Sequence, residues 1–440
     1  MNKKTFVIVG LGGRHELFRD AIIDQFKNRC HLLGLCDINK GRLEKSAREV
    51  KEKTGYPVKE YHSDNFDQMI RDLDPDRVIV TTKDSTHDGY ICRAMELGCD
   101  VITEKPMTMD AQKCKNILDT QKKTGRKITV TFNYRYSPPR TQVKELLMDG
   151  VIGKIISIDF NWLLDTYHGA DYFRRWHRNK INSGGLLVHK ATHHFDLVNW
   201  WISSVPETVY AKGARCFYTP QTAERLGLNN RASRCHICAE AGGCPFYLGL
   251  KHSPSLKSLY LDNENHDGYF RDQCVFNDQT DIEDTVSVLV EYMNNVRLNY
   301  SLTAFSPWEG YIINFNGTEG RIEHRMEETV YINADGTVPG KMKKDKTKTT
   351  VYPLRKEPFE VDIWEGEGGH GGADPQMLRY IFDPENQPAD KYMRSSDHRS
   401  GAWSIITGIA ANKSMELGRP VKIDELISGM ELPEILTERK

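Results

Sequence analysis

Residues 184–201, with the sequence GGLLVHKATHHFDLVNWW, carry three histidines, a lysine and an aspartate within what otherwise has the pattern of a buried helix. These groups could be metal ligands, proton-transfer groups at a substrate, or polar residues that the fold tolerates. His189 and His193 have the i, i+4 spacing of a two-histidine metal pair, but a metal needs a third ligand and Lys190 is an adjacent cation. A neutral imidazole could instead transfer a proton at a substrate, because histidine changes its charge near neutral pH.

A second motif, VIVGLGGRH at residues 7–15, places Gly10 and Gly12 where an apolar run turns into a helical pattern. This is the order of a GxGxxG dinucleotide-binding turn, although His15 stands in place of the third glycine. Asp37 ends the next apolar run, HLLGLCD, and is predicted to accept hydrogen bonds from the adenosine ribose hydroxyls. A carboxylate there would repel a ribose phosphate, which favours NAD over NADP, while the cations that follow it weaken that preference.

The elements that position these residues differ between the two halves of the chain. The first 130 residues alternate short apolar runs with helical segments, which predicts a parallel sheet covered on both faces, in a Rossmann domain at residues 1–135. Beyond residue 153 the apolar runs are longer, alternate with period two and are joined by Asn-Asn and Asn-Gly turns. They predict an α+β domain at residues 136–440 with an antiparallel sheet, against which a helix at residues 190–202 lies.

Composition excludes several classes of protein. The chain has 440 residues, with 60 lysines and arginines against 61 aspartates and glutamates, so nothing suggests nucleic acid as a partner. No apolar stretch approaches the roughly 20 residues of a membrane span, and the first residues read as a β-strand rather than a signal peptide. We therefore expect a cytoplasmic protein without a membrane partner.

The segments 81–110, TTKDSTHDGYICRAMELGCDVITEKPMTMD, and 131–138, TFNYRYSP, resemble the Gfo/Idh/MocA oxidoreductase family together with VGLGG at residues 9–13. The family signature TPxxxHxxxAxxAxxxGxxVxxEKP is matched here, with Lys83 in place of the usual proline, at Thr82, His87, Ala94, Gly98, Glu104, Lys105 and Pro106. The resemblance implies an N-terminal Rossmann domain, a C-terminal α+β domain with a large, mostly antiparallel sheet, and a homodimer or homotetramer. The residues expected to bind the cofactor are Gly10, Gly12, Gly13, Arg14, Asp37, Thr82, His87, Glu104, Lys105 and Asn133.

The same resemblance assigns catalytic roles. Lys105 is expected beside the nicotinamide, where it reaches the reacting hydroxyl. Set against the family segment GGxxxDxGxHxxD, His193 and Asp196 fall on the HxxD pair, while His189 replaces the aspartate and Ala191 the last glycine. His193 is expected to be the general acid/base, with Lys105 and His189 as the other catalytic residues. Asp196 either fixes the His193 imidazole or pairs elsewhere.

Two further segments, DTYHGADYFRRWHR at residues 165–178 and the glycine-rich GGHGGADP at residues 368–375, together offer hydrogen-bond donors and a stacking ring. A polyhydroxylated ligand needs a ring of donors and an aromatic platform for its apolar face. The expected substrate-binding residues are Tyr167, His168, Arg175, Trp176, His189, Asp196 and His370.

A cysteine-rich insertion is predicted around residues 230–280. Cys235, Cys238 and Cys244 form a CxxC with a third cysteine soon after, and Cys274 or His236 could complete a set of four ligands. Four thiolates on a structural zinc would hold together a loop with few apolar residues. An iron-sulfur cluster, or free or disulfide-linked cysteines, are the alternatives.

The function expected is NAD-dependent transfer of a hydride between nicotinamide and a secondary alcohol of a sugar, glycoside or cyclitol. Two alternatives share the site. In the first, NAD is retained and recycled, and transient oxidation followed by elimination makes the enzyme a glycosidase, a reading favoured by the likeness of GGHGGAD to a motif of such relatives. In the second, the chain is a non-catalytic sensor of NAD and sugar. The sequence does not indicate which sugar or carbon is oxidised.

Overall fold

In the computed structural model the backbone is described for residues 3–341, 346–366 and 369–437, and the side chains of residues 369–371 and 437 are outside the described part. The chain divides into two compact units. The first comprises Met1–Asn133, Leu250–Arg271 and Asp374–Ala402, and the second comprises Tyr134–Gly249, Asp272–Ala373 and Trp403–Lys440. Part of the predicted cysteine-rich insertion, Leu250–Arg271, therefore belongs to the first unit.

The first unit is built on a six-stranded sheet in the order β3-β2-β1-β4-β5-β6, in which all neighbouring strands are parallel. Its strands, β1 to β6, are Lys4–Val9, Cys30–Asp37, Lys59–His62, Arg77–Val80, Asp100–Thr103 and Ile128–Val130. The apolar residues of β1 and β4 are buried, as expected of strands covered on both faces. The predicted Rossmann architecture is confirmed.

The second unit contains a nine-stranded sheet in the order β14-β13-β12-β11-β7-β10-β9-β8-β15. Its strands, β7 to β15, are Ile155–Asp165, Pro206–Ala214, Thr285–Tyr292, Arg297–Ser306, Glu309–Gly317, Gly320–Thr329, Thr347–Pro353, Phe359–Glu360 and Val421–Lys422. The pair β7 and β10 is parallel, and the other pairs are antiparallel. Burial alternates along β9 and β10 with the period of two that their sequences predict. The large, mostly antiparallel sheet is confirmed.

Sixteen α-helical segments lie in the described residues, and none of these helices is both long and apolar enough to cross a membrane. In chain order α1 to α16 are His15–Asp20, Lys40–Thr54, Phe66–Leu73, His87–Glu96, Ala111–Thr124, Pro138–Met148, Thr166–Arg174, Lys180–Ser183, Leu186–His189, Thr192–Ile202, Pro220–Arg225, Pro254–Leu259, Glu264–Asp267, Gly369–Phe382, His398–Leu417 and Glu434–Thr437. Gly55 and Gly125 end α2 and α5 in the left-handed conformation, where glycine has no steric penalty.

Helix α10 packs on the nine-stranded sheet, and every one of its residues is buried. The imidazole of His194 stacks on Trp162 of β7, with ring centroids 3.8 Å apart. Its Nδ1 shares a 2.7 Å hydrogen bond with the hydroxyl of Tyr300 on β10. His194 is thus a histidine that the core accommodates through hydrogen bonding to Tyr300 and stacking on Trp162.

Candidate active site

The turn after β1 lies directly against the loop after β4. Gly10 has a φ of +90°, and a Cβ added there would lie 2.6 Å from the backbone nitrogen of Thr82. The hydroxyl of Thr81 donates a 2.6 Å hydrogen bond to the carbonyl oxygen of Gly10. Only glycine fits this close approach of two backbones. Thr82, expected at the cofactor site, therefore borders the turn.

The carboxylate of Asp37 is fixed at the end of β2, beside the same turn. It accepts hydrogen bonds from the backbone N–H groups of Leu11, at 2.5 Å, and Asn39, at 2.7 Å. The guanidinium of Arg42 donates a third, at 3.2 Å. A buried carboxylate beside the glycine turn can accept hydrogen bonds from the unphosphorylated ribose hydroxyls of a dinucleotide. The turn and the carboxylate together therefore fit NAD.

Two of the expected cofactor residues, Asn133 and Arg14, meet at one carboxylate that is absent from the predicted site, that of Asp374. Asn133 donates a 2.7 Å hydrogen bond from Nδ2 to its Oδ1, and Nη2 of Arg14 lies 3.6 Å from the same oxygen. Arg14 also donates from Nε to Glu104, at 2.6 Å. Burial alone would lower the pKa of Arg14, but the two carboxylates raise it above its ordinary value. Arg14 therefore stays charged and holds Glu104 in place.

Lys105 follows Glu104 after the end of β5, and its side chain is half-buried. Its backbone N–H donates a 3.1 Å hydrogen bond to the Glu104 carboxylate. His87 lies next to this segment, with Nδ1 2.9 Å from the carbonyl oxygen of Pro106 and Nε2 3.1 Å from that of Thr82. The ring of His87 thus lies between the loops after β4 and β5, and burial lowers its pKa, which favours the neutral ring with one N–H to donate. In this arrangement His87 positions the Lys105 segment.

In the second unit, the imidazole of His193 stacks on the phenol ring of Tyr134. The ring centroids are 4.1 Å apart and the planes differ by 13°. The ammonium of Lys190 donates a 3.1 Å hydrogen bond to the Tyr134 hydroxyl. His193 is 6% exposed and Lys190 is 3% exposed. The stacked rings of His193 and Tyr134 are therefore buried within the second unit. Sequence reasoning missed Tyr134 and treated Lys190 only as a neighbouring cation.

A chain of polar groups continues from Lys190. Its Nζ lies 3.9 Å from the carboxylate of Glu309, which also binds Nδ1 of His168 at 2.8 Å. The other ring nitrogen of His168 shares a 2.9 Å hydrogen bond with the hydroxyl of Tyr172. Burial would raise the pKa of Glu309, but His168 and Lys190 hold it below its ordinary value. Of these groups the sequence analysis selected only His168, whose side chain is 38% exposed.

Asp196 forms a buried ion pair with Arg135. Nε and Nη2 of the guanidinium donate hydrogen bonds of 2.8 Å and 2.6 Å to the two carboxylate oxygens. Burial raises the pKa of Asp196, and Arg135 opposes that rise. Of the two roles left open by the sequence, fixing the His193 imidazole or pairing elsewhere, the structure places Asp196 in a pair elsewhere.

His189 sits in an aromatic cluster. Its ring centroid lies 4.2 Å from that of His177 and 5.8 Å from that of Trp176. Helix α9 ends at His189 and α10 begins at Thr192, so His189 and His193 do not share one uninterrupted helix. The i, i+4 spacing, which the sequence analysis weighed as a metal pair and did not select, therefore does not lie on one continuous helix.

The remaining expected substrate residues are spread over the second unit. Tyr167 is 38% exposed and faces Tyr331, with ring centroids 5.0 Å apart. Arg175 pairs with Asp171 at 3.3 Å. Trp176 stacks on the following residue, His177, with ring centroids 3.6 Å apart. His370 lies in the first turn of α14, and its side chain is outside the described residues.

The four cysteines of the predicted zinc site, Cys235, Cys238, Cys244 and Cys274, line one small pocket. Among the residues that the structure describes, however, no group of three or more histidine, cysteine, aspartate or glutamate side chains could hold a metal ion. Burial raises the pKa of Cys235 and Cys274 and brings that of Cys244 to about 11. The prediction of structural zinc is therefore not supported.

Two family profiles match the chain. The one described as the NAD-binding Rossmann fold of the oxidoreductase family matches residues 4–132. The one described as the C-terminal alpha/beta domain of the same family matches residues 144–423. Together they span both kinds of sheet described above.

Individual proteins are similar along most of the chain. The Bacillus subtilis protein YteT is 36% identical over 96% of this chain and 98% of its own length. An inositol 2-dehydrogenase/D-chiro-inositol 3-dehydrogenase of Lactiplantibacillus plantarum is 24% identical over 69% of this chain and 86% of its own length. The structure of scyllo-inositol dehydrogenase from Lactobacillus casei, solved with NAD(H) and scyllo-inositol, covers 96% of this chain and all of its own, with a TM-score of 0.61 and 16% identity. That last likeness shows the fold alone.

Proposed function

Because the chain belongs to the Gfo/Idh/MocA oxidoreductase family, we propose that it is an NAD-dependent dehydrogenase that oxidises a secondary alcohol of a cyclitol, sugar or glycoside. The observation that carries the proposal is the buried carboxylate of Asp37, tied to the glycine turn by the backbone N–H of Leu11. This arrangement fits a dinucleotide whose ribose hydroxyls are free. Relatives named as inositol dehydrogenases support a polyhydroxylated ring as substrate.

The residues that would hold NAD are those of the turn, Gly10, Gly12 and Gly13, with Asp37 at the ribose end. When NAD is bound, its nicotinamide supplies the acceptor for a hydride from the substrate carbon. Arg14 positions Glu104, which accepts a hydrogen bond from the backbone N–H of Lys105, and Asn133 holds Asp374, the other carboxylate beside Arg14. Gly12 and Gly13 have no side chains of their own that would block a pyrophosphate.

Lys105 and His193 handle the proton of the reacting hydroxyl in this proposal. The Lys105 ammonium donates a hydrogen bond to the hydroxyl oxygen and stabilises the negative charge that develops there. An imidazole nitrogen of His193 accepts the hydroxyl proton. Tyr134 fixes the plane of that imidazole by stacking, and Lys190 fixes Tyr134. We assign catalysis to Lys105 and His193, with a secondary role for His189.

The other hydroxyls of the substrate require donors and acceptors. The ring of His168 marks where they would lie, because Glu309 and Tyr172 hold both of its nitrogens while 38% of its side chain remains exposed. Glu309 and Lys190 give this part of the second unit two opposite buried charges. Alternating charges of this kind suit a ligand whose hydroxyl groups donate as well as accept.

The test is to incubate the purified full chain with NAD and a panel of cyclitols, free sugars and glycosides, following both cofactor absorbance and products. A ketone that accumulates together with reduced NAD supports the proposal. Release of an aglycone from a glycoside with no net reduction of NAD would contradict it and identify a glycosidase. Binding of NAD and a sugar with no turnover of any compound would instead indicate a sensor.

A matched pair of variants strengthens the test. Lys105→Ala is expected to lower turnover by about a thousandfold, because a charged donor at the reacting oxygen is lost. Lys115→Ala removes an exposed lysine of α5 that pairs with Asp119, and it is expected to leave turnover unchanged. Equal activity of the two variants would remove Lys105 from the mechanism.

A further inference from the structure

The segment Leu250–Arg271, called the strap below, packs on the candidate dinucleotide turn within the first unit. It contains the short helices α12 and α13, joined by residues 260–263. Its first contact is at the turn itself, where the backbone N–H of Gly13 donates a 3.2 Å hydrogen bond to the hydroxyl of Tyr260. A Cβ added at Gly12 or Gly13 would lie 3.8 Å or 3.7 Å from the same hydroxyl oxygen. The phenol of Tyr260 therefore stands over the two glycines.

A second contact anchors the strap to the start of α2. The side chain of Asn39 donates a 2.8 Å hydrogen bond to the backbone carbonyl of Asn263. A Cβ at Gly41 would lie 1.8 Å from the Asn263 side-chain oxygen, so the helix can approach the strap this closely only with glycine at that position. Asn263 is 8% exposed, and its amide donates back to Ser258 within the strap.

A third contact lies at the ribose end. Asp267 pairs with the guanidinium of Arg42, and the same nitrogen donates a 3.2 Å hydrogen bond to Asp37. The side chains of Asp267 and Arg42 are each 10% exposed. The strap thus reaches both the glycine turn and the carboxylate that mark the two ends of the candidate NAD site.

Resting on the proposed function, we infer that the strap is part of the NAD site and that the Tyr260 hydroxyl is a ligand of the cofactor pyrophosphate. The Gly13 N–H already donates a hydrogen bond to the Tyr260 hydroxyl. A pyrophosphate oxygen that approaches Gly13 therefore replaces that hydroxyl as the acceptor of this hydrogen bond. A tyrosine hydroxyl is both donor and acceptor, and the displaced hydroxyl is then free to donate to a phosphate oxygen. Asn263 and Asp267 keep the strap anchored during this exchange. The strap then covers the bound NAD and lowers its dissociation rate.

The experiment measures NADH binding and release by the full chain rather than its turnover. Cofactor fluorescence gives the dissociation constant, and displacement by excess NAD in a stopped-flow instrument gives the dissociation rate. Tyr260→Phe keeps the ring but removes the hydroxyl, and it is expected to raise both quantities about tenfold, the effect of one hydrogen bond to a charged group. The matched control is Tyr61→Phe, which removes an exposed hydroxyl of the same unit that donates to Asp72 and should change neither.

A second readout is independent of the cofactor signal. Lys257 is exposed on α12, so trypsin cleavage there, followed by mass spectrometry, reports whether the strap is held. Saturating NAD is expected to slow this cleavage in the wild type and to slow it less in Tyr260→Phe. An unchanged NADH dissociation rate in Tyr260→Phe would overturn the inference. Tighter and faster NADH binding by this variant would also overturn it, because it would show that the phenol blocks the site. Both results would leave the proposed function intact. A wild type that binds no NADH would overturn both.

Discussion

The imidazole of His193 lies face to face with the ring of Tyr134, at a centroid distance of 4.1 Å. Tyr134 in turn accepts a hydrogen bond from the buried Lys190. An imidazole that transfers a proton must keep its nitrogens aimed along one direction, and stacking on a fixed ring removes the rotations that would spoil that aim. Tyr134 is therefore a positioning residue for His193 in the proposed mechanism.

Replacing Tyr134 by leucine should lower kcat about tenfold or more, because the imidazole loses the surface that orients it. Tyr134→Phe keeps the stack and loses the hydroxyl that accepts the hydrogen bond from Lys190, so its kcat should lie much closer to that of the wild type. Steady-state kinetics on the identified substrate, with Tm measured for each variant, separates orientation from folding. Wild-type kcat in Tyr134→Leu would show that the stack has no part in catalysis.

Glu309 provides a pH-dependent test of the polar chain. Its folded-state pKa is held below the ordinary value of 4.5 by His168 and Lys190 despite burial. The ionised carboxylate therefore stabilises the folded protein at neutral pH, and this contribution is lost as the pH falls through the folded-state pKa. Glu309→Gln should reduce the free energy of unfolding by about 2 kcal/mol at neutral pH, and the difference should shrink in acid.

Urea unfolding at several pH values measures that difference. Glu323→Gln is the matched control, since the Glu323 carboxylate is 45% exposed and pairs with Arg321, so its loss should cost little at any pH. A stability difference for Glu309→Gln that grows in acid would mean that the sign of the pKa shift is wrong.

The Arg135–Asp196 pair is expected to be structural. Asp196→Ala leaves a buried guanidinium without its partner and should lower the free energy of unfolding by about 3–5 kcal/mol. The double variant Arg135→Met, Asp196→Leu should recover much of that loss, because it removes both buried charges. Denaturant unfolding checks both values. Wild-type stability in Asp196→Ala combined with weakened substrate binding would restore the role in substrate binding predicted from the sequence.

Asp267 is expected to influence the choice between NAD and NADP. Arg42 is the kind of residue that binds a ribose 2′-phosphate, but here Asp37 and Asp267 both engage it. Asp267→Asn should lower the dissociation constant for NADP by about tenfold, equivalent to one charge-assisted interaction, with a small effect on NAD. Asp262→Asn, an exposed carboxylate of the same strap that pairs with Lys257, is the control. An unchanged ratio of the two dissociation constants would contradict this role.

The fold of the first unit could be predicted well from the sequence because each of its elements is indicated by residues that are close together in the chain. Each strand is a short apolar run, each helix follows it directly, and Gly10 and Asp37 mark the ends of β1 and β2. The parallel order then follows from short crossovers. The family resemblance supplied the expected role of Lys105, which no local pattern would have indicated.

The polar network of the second unit could not be predicted in the same way. Glu309 begins β11 and meets His168, 141 residues earlier in the chain, only because β11 pairs with β7. Such a contact depends on strand order, which the alternation of apolar residues does not specify. The position of the strap could not be predicted for a related reason. In the sequence, residues 250–271 lie within the predicted cysteine-rich insertion, and no local pattern indicates that they pack on the glycine turn, as they do in the structure.

The most direct test of the proposed function uses a substrate from the panel that carries deuterium on the carbon bearing the reacting hydroxyl. We expect the ketone and reduced NAD to form in equal amounts and the deuterium to be recovered in the reduced nicotinamide. Consumption of the substrate without labelled, reduced NAD would contradict it.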